Sequence, residues 1–507
     1  MKNFKASDWE KRIPIPVYEE FPEYFDFYKK AFELAHAHIK EIDGMPQSPY
    51  MDEALCDTQV WIWDSCFMSL FCKYGGDVFP GVETLNNFYE ALYGEKGLPY
   101  IIPTAKEPKW TGAVAGEPFK IEVHIADNPP LFAWAEYENA LFHGDKEYVK
   151  KLISRGVLQK HYEWLESLSD KTAIEGVHCR THWTNEDIGY RWEGGRSGMD
   201  NTPRGRIGNS CEKERPQNRD ALWVDAICQQ ALSARMIASL CNIAGDGKAA
   251  AEWNEKFLEK KDIINKYYWD IKDGIYYDID VSTKEFYKVI TPAAYWAMTA
   301  EIASDEQANK MLKYLLDENA LGGKVPIVSL ARNDADFSED GKYWRGGLWL
   351  PTAYSTLKGL ANYGYFKEAA YLARRIFDHM LATYTQYEPH TIWECYSPTK
   401  PEPATSVDGV KRSRPDFCGW SALGPISIYI EYILGFHTVN AFERVVEWEL
   451  DKELTGRAGI ENLRFGDIVT DIIAENGVCT VVSNAPYTLK ICDVPYSVGE
   501  GKTVIKI

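Results

Sequence analysis

The chain has 507 residues, 45% hydrophobic and 26% charged, with a formal net charge of −19, and no stretch approaches the roughly 20 apolar residues of a membrane span. That charge, with no lysine or arginine stripe to offset it, repels phosphate backbones and argues against nucleic acid as a partner. A polar N-terminus and eleven cysteines, an odd number without CxxC spacing and partly inside apolar runs (Cys66, Cys72, Cys228), lead us to expect a cytoplasmic protein with reduced thiols.

Apolar residues at helical spacing predict helices over 22–41, 64–75, 82–95, 128–143, 145–169, 219–244, 247–269, 291–303, 304–317, 347–363, 365–385 and 418–435. Their connections alternate between short and long, the pattern that a ring of six helical hairpins requires. A toroid also escapes the limit of roughly 250–300 residues at which single cores stop growing. The expected fold is therefore mainly α, an (α/α)6 toroid over residues 1–437. After residue 438 the texture turns to short alternating runs rich in β-branched residues, Ile468–Glu475, Val478–Ser483, Tyr487–Cys492 and Thr503–Ile507. Asn476 and Gly477 lie between the first two, a strong hairpin signal. A small antiparallel β-domain is expected at 438–507.

The long connections, 96–127, 170–218, 318–346 and 386–417, hold glycine, proline, tryptophan, histidine and arginine together, and loops above about 15 residues in a compact domain are usually functional. Seventeen Trp and 31 Tyr offer faces suited to the C–H surfaces of sugars. Four segments beside these loops could carry chemistry. In WIWDSCFM (61–68), Trp63 could be a sugar platform and Asp64 an acceptor for hydroxyls, or the pair could be a helix start with buried indoles. In WEGGRSGMDNTPR (192–204), Asp200 is a candidate general acid, provided that Arg196, Arg204 and Arg206 point elsewhere, since a guanidinium would hold its pKa down. An Asx-turn with salt bridges fits that segment equally well.

YWRGGLWLP (343–351) sets Trp344 and Arg345 at a helix start with Gly346 and Gly347 giving room, a pattern shared by sugar sites and structural cation–π clusters. IWECYSP (392–398), followed by CGWS (418–421), contains Glu394, a candidate base. Inverting hydrolases hold two carboxyls roughly 6.5–9.5 Å apart around the scissile bond. Glu186, Asp187, Glu193 and Glu388 are the rival carboxylates. His and Cys spacing suggests no zinc site, and neither a phosphate-cradling GxGxxG after a strand nor a GxSxG elbow occurs, so no metal or cofactor is expected.

In this order the segments resemble the clan of inverting glycosidases that contains trehalases, glycoside hydrolase family 63 α-glucosidases and mannosylglycerate hydrolases. Residues 61–67 are similar to its WDS-type segment, 98–103 to the following loop and NPPLFAW (128–134) to its QPP-like helix start. SGMDNTPR (197–204) is similar to SGMDNSPR, YWRGGLW (343–349) to YWRGPVW, and WECYSP (393–398) with GWS (419–421) to the base-bearing segment. The resemblance covers about 55–435. It implies the (α/α)6 barrel, Asp200 as general acid and Glu394 as general base. It also implies a sugar held by Trp63, Asp64, Asn128, Asn201, Tyr343, Trp344, Arg345, Gly346, Trp393 and Trp420. Asn128 in place of Gln, Gly347 in place of Pro and Gly205 in place of Trp depart from the family pattern and bear on which sugar is bound.

The expectation is an inverting glycoside hydrolase that removes a terminal α-glucosyl or α-mannosyl unit from a small oligosaccharide or glycoside. The alternatives are an α-L-rhamnosidase, a sugar phosphorylase or epimerase on the same barrel, and a carbohydrate-binding protein without catalysis.

Overall fold

The computed structural model describes residues 9–54, 59–91, 97–104, 127–169, 183–204, 220–451 and 456–507. Helices dominate up to residue 433: α1 (Glu23–Ala37), α2 (Ile62–Cys72), α3 (Gly81–Glu90), α4 (Phe132–His143), α5 (Lys146–Arg155), α6 (Val157–Ser167) and a short α7 (Gly194–Ser197). They continue with α8 (Val224–Ala244), α9 (Gly247–Tyr267), a single turn α10 (Trp296–Thr299), α11 (Asp305–Leu316), α12 (Leu350–Asn362) and α13 (Phe366–Gln386). No helix among the described residues is long and apolar enough to cross a membrane.

Burial sorts these helices into two kinds. In α8 the buried residues run unbroken from Val224 to Ala234, whereas α9, joined to it through Gly245 and Asp246, buries only Ala250, Trp253, Phe257 and Ile264. A stripe of that spacing covers one face of a helix, so α9 lies outside and α8 inside. The same contrast separates α12, buried from Leu350 to Leu357, from α13. The inner elements are α2, α4, α8, α12 and Gly424–Ile433, and short links lead from four of them to an outer partner. They run side by side in one direction. Near their starts Trp63 lies 5.4 Å from Trp420, and Trp420 5.8 Å from Trp349; near their ends Lys73 meets Glu431 and Lys358 meets Glu138. Long loops therefore gather at one end, the mouth. The other end, the floor, encloses a cavity of about 190 Å³ lined by Lys73, Glu138, Arg235, Lys358 and Glu431.

Four expectations are corrected. The helix expected at 145–169 is two, because Gly156 takes a left-handed conformation (φ 68°) that ends α5 and starts α6. Residues 291–303 give only a 3-10 turn, Pro292–Tyr295, and α10. The segment expected as an α-helix at 418–435 is a 3-10 turn, Ser421–Leu423, then a π-helix, Gly424–Ile433. A side chain at Gly424 would lie 2.4 Å from the Met380 sulfur, so glycine is what lets the π-helix approach α13. Residues 183–191, expected as loop, 221–222, expected in a helix, and 278–287, between expected helices, contribute strands to a five-stranded sheet in the order 286–287, 278–280, 221–222, 189–191, 184–186. The loops expected at 96–127 and 170–218 lie largely outside the described residues.

Beyond residue 437 the regular structure of the described residues is β. One sheet has the order 438–440, 445–448, 487–491, 494–498, with 445–448 and 487–491 parallel, which corrects the expectation of a purely antiparallel domain. The other pairs 458–465, 468–475, 478–483 and 501–506, and its edge strand is Ile15–Tyr18 from the N-terminal end, in register with Ala458–Glu461. The chain thus returns after more than 400 residues to the sheet whose edge its start supplies.

Candidate active site

The mouth is built by loops that fold onto the starts of α2, α12 and the π-helix. Asp64 lies in the first turn of α2, where the positive helix end favours a carboxylate. It is nevertheless 1% exposed, and its Oδ1 has no hydrogen-bond partner. Burial, reinforced by the nearby charges of Glu394 and Asp200, pushes its pKa up to about 8. Behind it lies Glu53, fully buried, which the sequence did not mark. Its carbonyl accepts the Gly419 N–H at 3.2 Å, and its carboxyl is pushed far up by burial and by Asp52 and Asp64.

Asp200 is half-buried and follows α7, whose C-terminal Gly198 has φ 84°. A Cβ at Gly198 would sit 2.3 Å from the Trp63 ring, so the loop that carries Asp200 lies directly on that indole. Arg204, four residues on, points away. It is 2% exposed and grips Asp225 at 2.6 and 2.8 Å and Asp278 at 2.6 and 2.9 Å, which anchors the loop to α8 and to the five-stranded sheet. Arg196 turns to Asp127 and to the Tyr100 ring; Arg206 lies outside the described residues.

Glu394 is 3% exposed, and both its oxygens are engaged. The Tyr343 hydroxyl donates to Oε1 at 2.8 Å, and the Arg414 N–H donates to Oε2 at 3.3 Å. Its carbonyl accepts Trp420 Nε1 at 3.0 Å and Ser421 Oγ at 3.2 Å. Burial raises its pKa, while the Arg414 charge, the Tyr343 hydroxyl and the Arg414 N–H pull it back. Asp200 acts electrostatically on both Asp64 and Tyr343, as Glu394 does, so the three carboxyls share one neighbourhood. Of the rivals, Glu186 pairs with Arg191 on a hairpin, Asp187 and Glu388 are exposed, and Glu193 is buried at the start of α7.

The expected sugar contacts divide. Trp63 is half-buried at the mouth and Trp420 is buried beside it. Trp344 stacks at 4.0 Å on Trp349 and is 1% exposed, so one ring face is covered by protein. The Asn201 amide engages the protein at both ends, accepting the Trp344 N–H at 2.8 Å and donating to the Lys342 carbonyl at 2.9 Å. Arg345 donates from Nε to the Asn201 carbonyl at 3.1 Å, and the Gly346 N–H donates to Ser329 Oγ. Asn128 gives its amide N–H to the Arg196 carbonyl and keeps an unpartnered oxygen; Trp393 has an unpartnered indole nitrogen. Arg414 was not foreseen, although the charge density of loop 386–417 pointed to that stretch.

The family model described as mannosylglycerate hydrolase MGH1-like glycoside hydrolase domain matches residues 57–410, and the chain belongs to that family. It is a glycosidase of the glycoside hydrolase family 63 and trehalase-like group, with a carbohydrate as its substrate. An uncharacterized protein of Borreliella burgdorferi is 28% identical over 92% of this chain and 91% of its own length. The mannosyl-oligosaccharide glucosidase of Saccharomyces cerevisiae is 25% identical over 55% of this chain, which spans only 34% of that relative. Among solved structures, the GH63 mannosylglycerate hydrolase from Thermus thermophilus in complex with glucose is similar in fold, with a TM-score of 0.57 at 17% identity over 79% of this chain and 99% of that one.

Proposed function

We propose that this glycosidase inverts configuration at an α-linked terminal sugar, with Asp200 as general acid and Glu394 as general base. The observation that carries the reading is that segment 342–345 bonds to Glu394 through the Tyr343 hydroxyl and to Asn201, the chain neighbour of Asp200. Two carboxyls with one rigid segment between them suit a single displacement, in which one protonates the glycosidic oxygen while the other activates a water on the opposite face. Asp64, raised in pKa and with an unpartnered oxygen, is available to a sugar hydroxyl, and Trp63 with Trp420 to the ring face.

In this reading the inner and outer helices close into an (α/α)6 ring, with residues 438–507 as a small β-domain beneath it that takes its edge strand from Ile15–Tyr18. The sugar is α-glucosyl or α-mannosyl on a small oligosaccharide or glycoside, a choice supported by the names of the similar glucosidase and mannosylglycerate hydrolase. The protein acts in the cytoplasm, in keeping with its buried free thiols.

The test is incubation with α-linked glucose and mannose disaccharides and with glucosylglycerate, the first sugar released being followed by proton NMR. The β-anomer is expected first, without added phosphate. Release of the α-anomer, or cleavage only when phosphate is present, overturns the mechanism.

A further inference from the structure

We propose that Asn201 is a positioning residue that sets the separation of acid and base, by holding a strained two-residue step in front of Glu394. The proposal rests on the assignment of Asp200 and Glu394 given above. Asn201 is fully buried and adjoins the acid in the chain. Its side-chain oxygen and nitrogen engage Trp344 N–H and Lys342 C=O, one residue on either side of Tyr343, and its own carbonyl takes the Arg345 Nε–H.

The bracketed step is unusual. Lys342 and Tyr343 have φ values of 35° and 64°, in the left-handed region where a residue with a side chain costs about 1–3 kcal/mol and persists only when its surroundings over-determine it. They do so here. Lys342 N–H is held by Thr405 Oγ1 at 3.1 Å, Tyr343 N–H by the Thr405 carbonyl at 2.8 Å, Tyr343 C=O by Trp349 Nε1 at 3.0 Å, and Lys342 C=O by Asn201. Glycine would adopt this backbone freely but would lack the hydroxyl, and it is the hydroxyl that reaches Glu394 Oε1 at 2.8 Å. From acid to base the path is one peptide bond, one doubly bonded amide, the strained turn and one hydrogen bond.

Releasing the amide lets the step relax toward ordinary φ, which carries the Tyr343 hydroxyl off Glu394. A displacement of 1 Å in a reacting group costs about 10²-fold in rate. The base also loses a donor that favours its charged form, so its pKa rises.

For Asn201→Ala we expect kcat to fall about a hundredfold with KM within about threefold. The acidic limb of the kcat/KM profile should move to higher pH. Asn201→Ala combined with Tyr343→Phe should be no worse than Asn201→Ala alone, because both act through one path. Thr405→Val frees Lys342 from the side away from the acid and serves if Asn201→Ala does not fold; a smaller fall in kcat with the same limb shift is expected. A raised KM at unchanged kcat, unmoved pH limbs, or effects that multiply in the double variant would overturn the proposal. Failure of the underlying assignment looks different: Asp200→Asn or Glu394→Gln would then retain turnover.

Discussion

The bundle of inner helices has buried carboxylates at both its ends, on the helices or on the loops that cover them, under opposite conditions. At the floor Glu431 is bound by Lys73 at 3.1 Å and by the hydroxyls of Tyr74 and Tyr354 at 2.8 Å each, and Glu138 is bound by Lys358 at 3.0 Å. Opposing cations bring the Glu138 pKa below the ordinary glutamate value despite full burial. At the mouth Asp64 and Glu394 are just as buried, share Arg414 as their counter-charge and have raised pKa values. The helical bundle thus pairs its buried charge at one end and leaves it under-compensated at the other. Perturbed carboxyls in a cleft mark function; paired ones in the core mark structure.

The largest effect that would test this comparison is at the mouth. Glu394→Gln and Asp200→Asn should each lower kcat by about 10²–10⁴-fold, the range for general acid–base groups, while the thermal midpoint stays within a few degrees. A variant that loses activity by unfolding would assign the mouth to structure instead. Next comes the floor. Lys73→Met leaves the Glu431 carboxylate buried without its cation, a change that typically costs about 3–5 kcal/mol. Denaturant unfolding should show the loss, and turnover measured well below the new midpoint should hold within about threefold. A rate loss comparable to that of Glu394→Gln would erase the distinction between the two ends.

How far was this division legible in the sequence? The amphipathic outer helices were, because a stripe and caps define them locally. The segment expected at 304–317 runs Asp305–Leu316, with Ser304 and Gln307 forming a capping box, and that expected at 365–385 runs Phe366–Gln386. Gly156 was not legible as a break, because the apolar period continues on both sides of it. Strands of two or three residues, such as Ala221–Leu222 and Asp278–Asp280, fall below any useful window, and Ile15–Tyr18 is a strand only because Ala458–Glu461 lies beside it. At the site, residue types marked loops that the fold brings together at the mouth, but nothing local reveals that the Asn201 amide bonds to the backbone of Lys342 and Trp344. Glu53 precedes the motifs, and only the folded chain sets it behind Asp64.

Asp64→Asn sharpens the contrast through stability. An acid whose pKa is raised on folding, here from an ordinary value near 3.8 to about 8, destabilises the native state progressively as pH climbs through that window, because the unfolded chain ionises first. Below pH 4 both states hold the proton and the penalty vanishes. Asparagine has no such proton to lose, so the variant should be more stable than the parent by a few kcal/mol at pH 8 and about equal to it near pH 4. Its activity should fall, a trade seen where strain serves catalysis. Midpoints across pH 4–8 measure the effect, and a flat difference would mean that Asp64 is ionised throughout and belongs with the paired charges of the floor.

The smallest effect comes from one substitution made at both ends. Tyr354 in α12 donates to Glu431 Oε2 at 2.8 Å, and Tyr343, just before α12, donates to Glu394 Oε1 at 2.8 Å, so the two hydrogen bonds are alike in length and chemistry. Removing a hydroxyl from a charged partner typically costs about 1.5–3 kcal/mol. At the floor Glu431 keeps Lys73 and Tyr74, so Tyr354→Phe should appear only as a stability loss toward the lower end of that range, with kcat unchanged. At the mouth the native state gains little from a carboxylate it keeps under-compensated, so Tyr343→Phe should leave the midpoint nearly where it was. The lost energy should emerge instead as a slower reaction whose acidic limb sits at higher pH. Equal stability losses and equal rates in the two variants would mean that the ends differ only in the residues they carry, and the electrostatic asymmetry would have no part in catalysis.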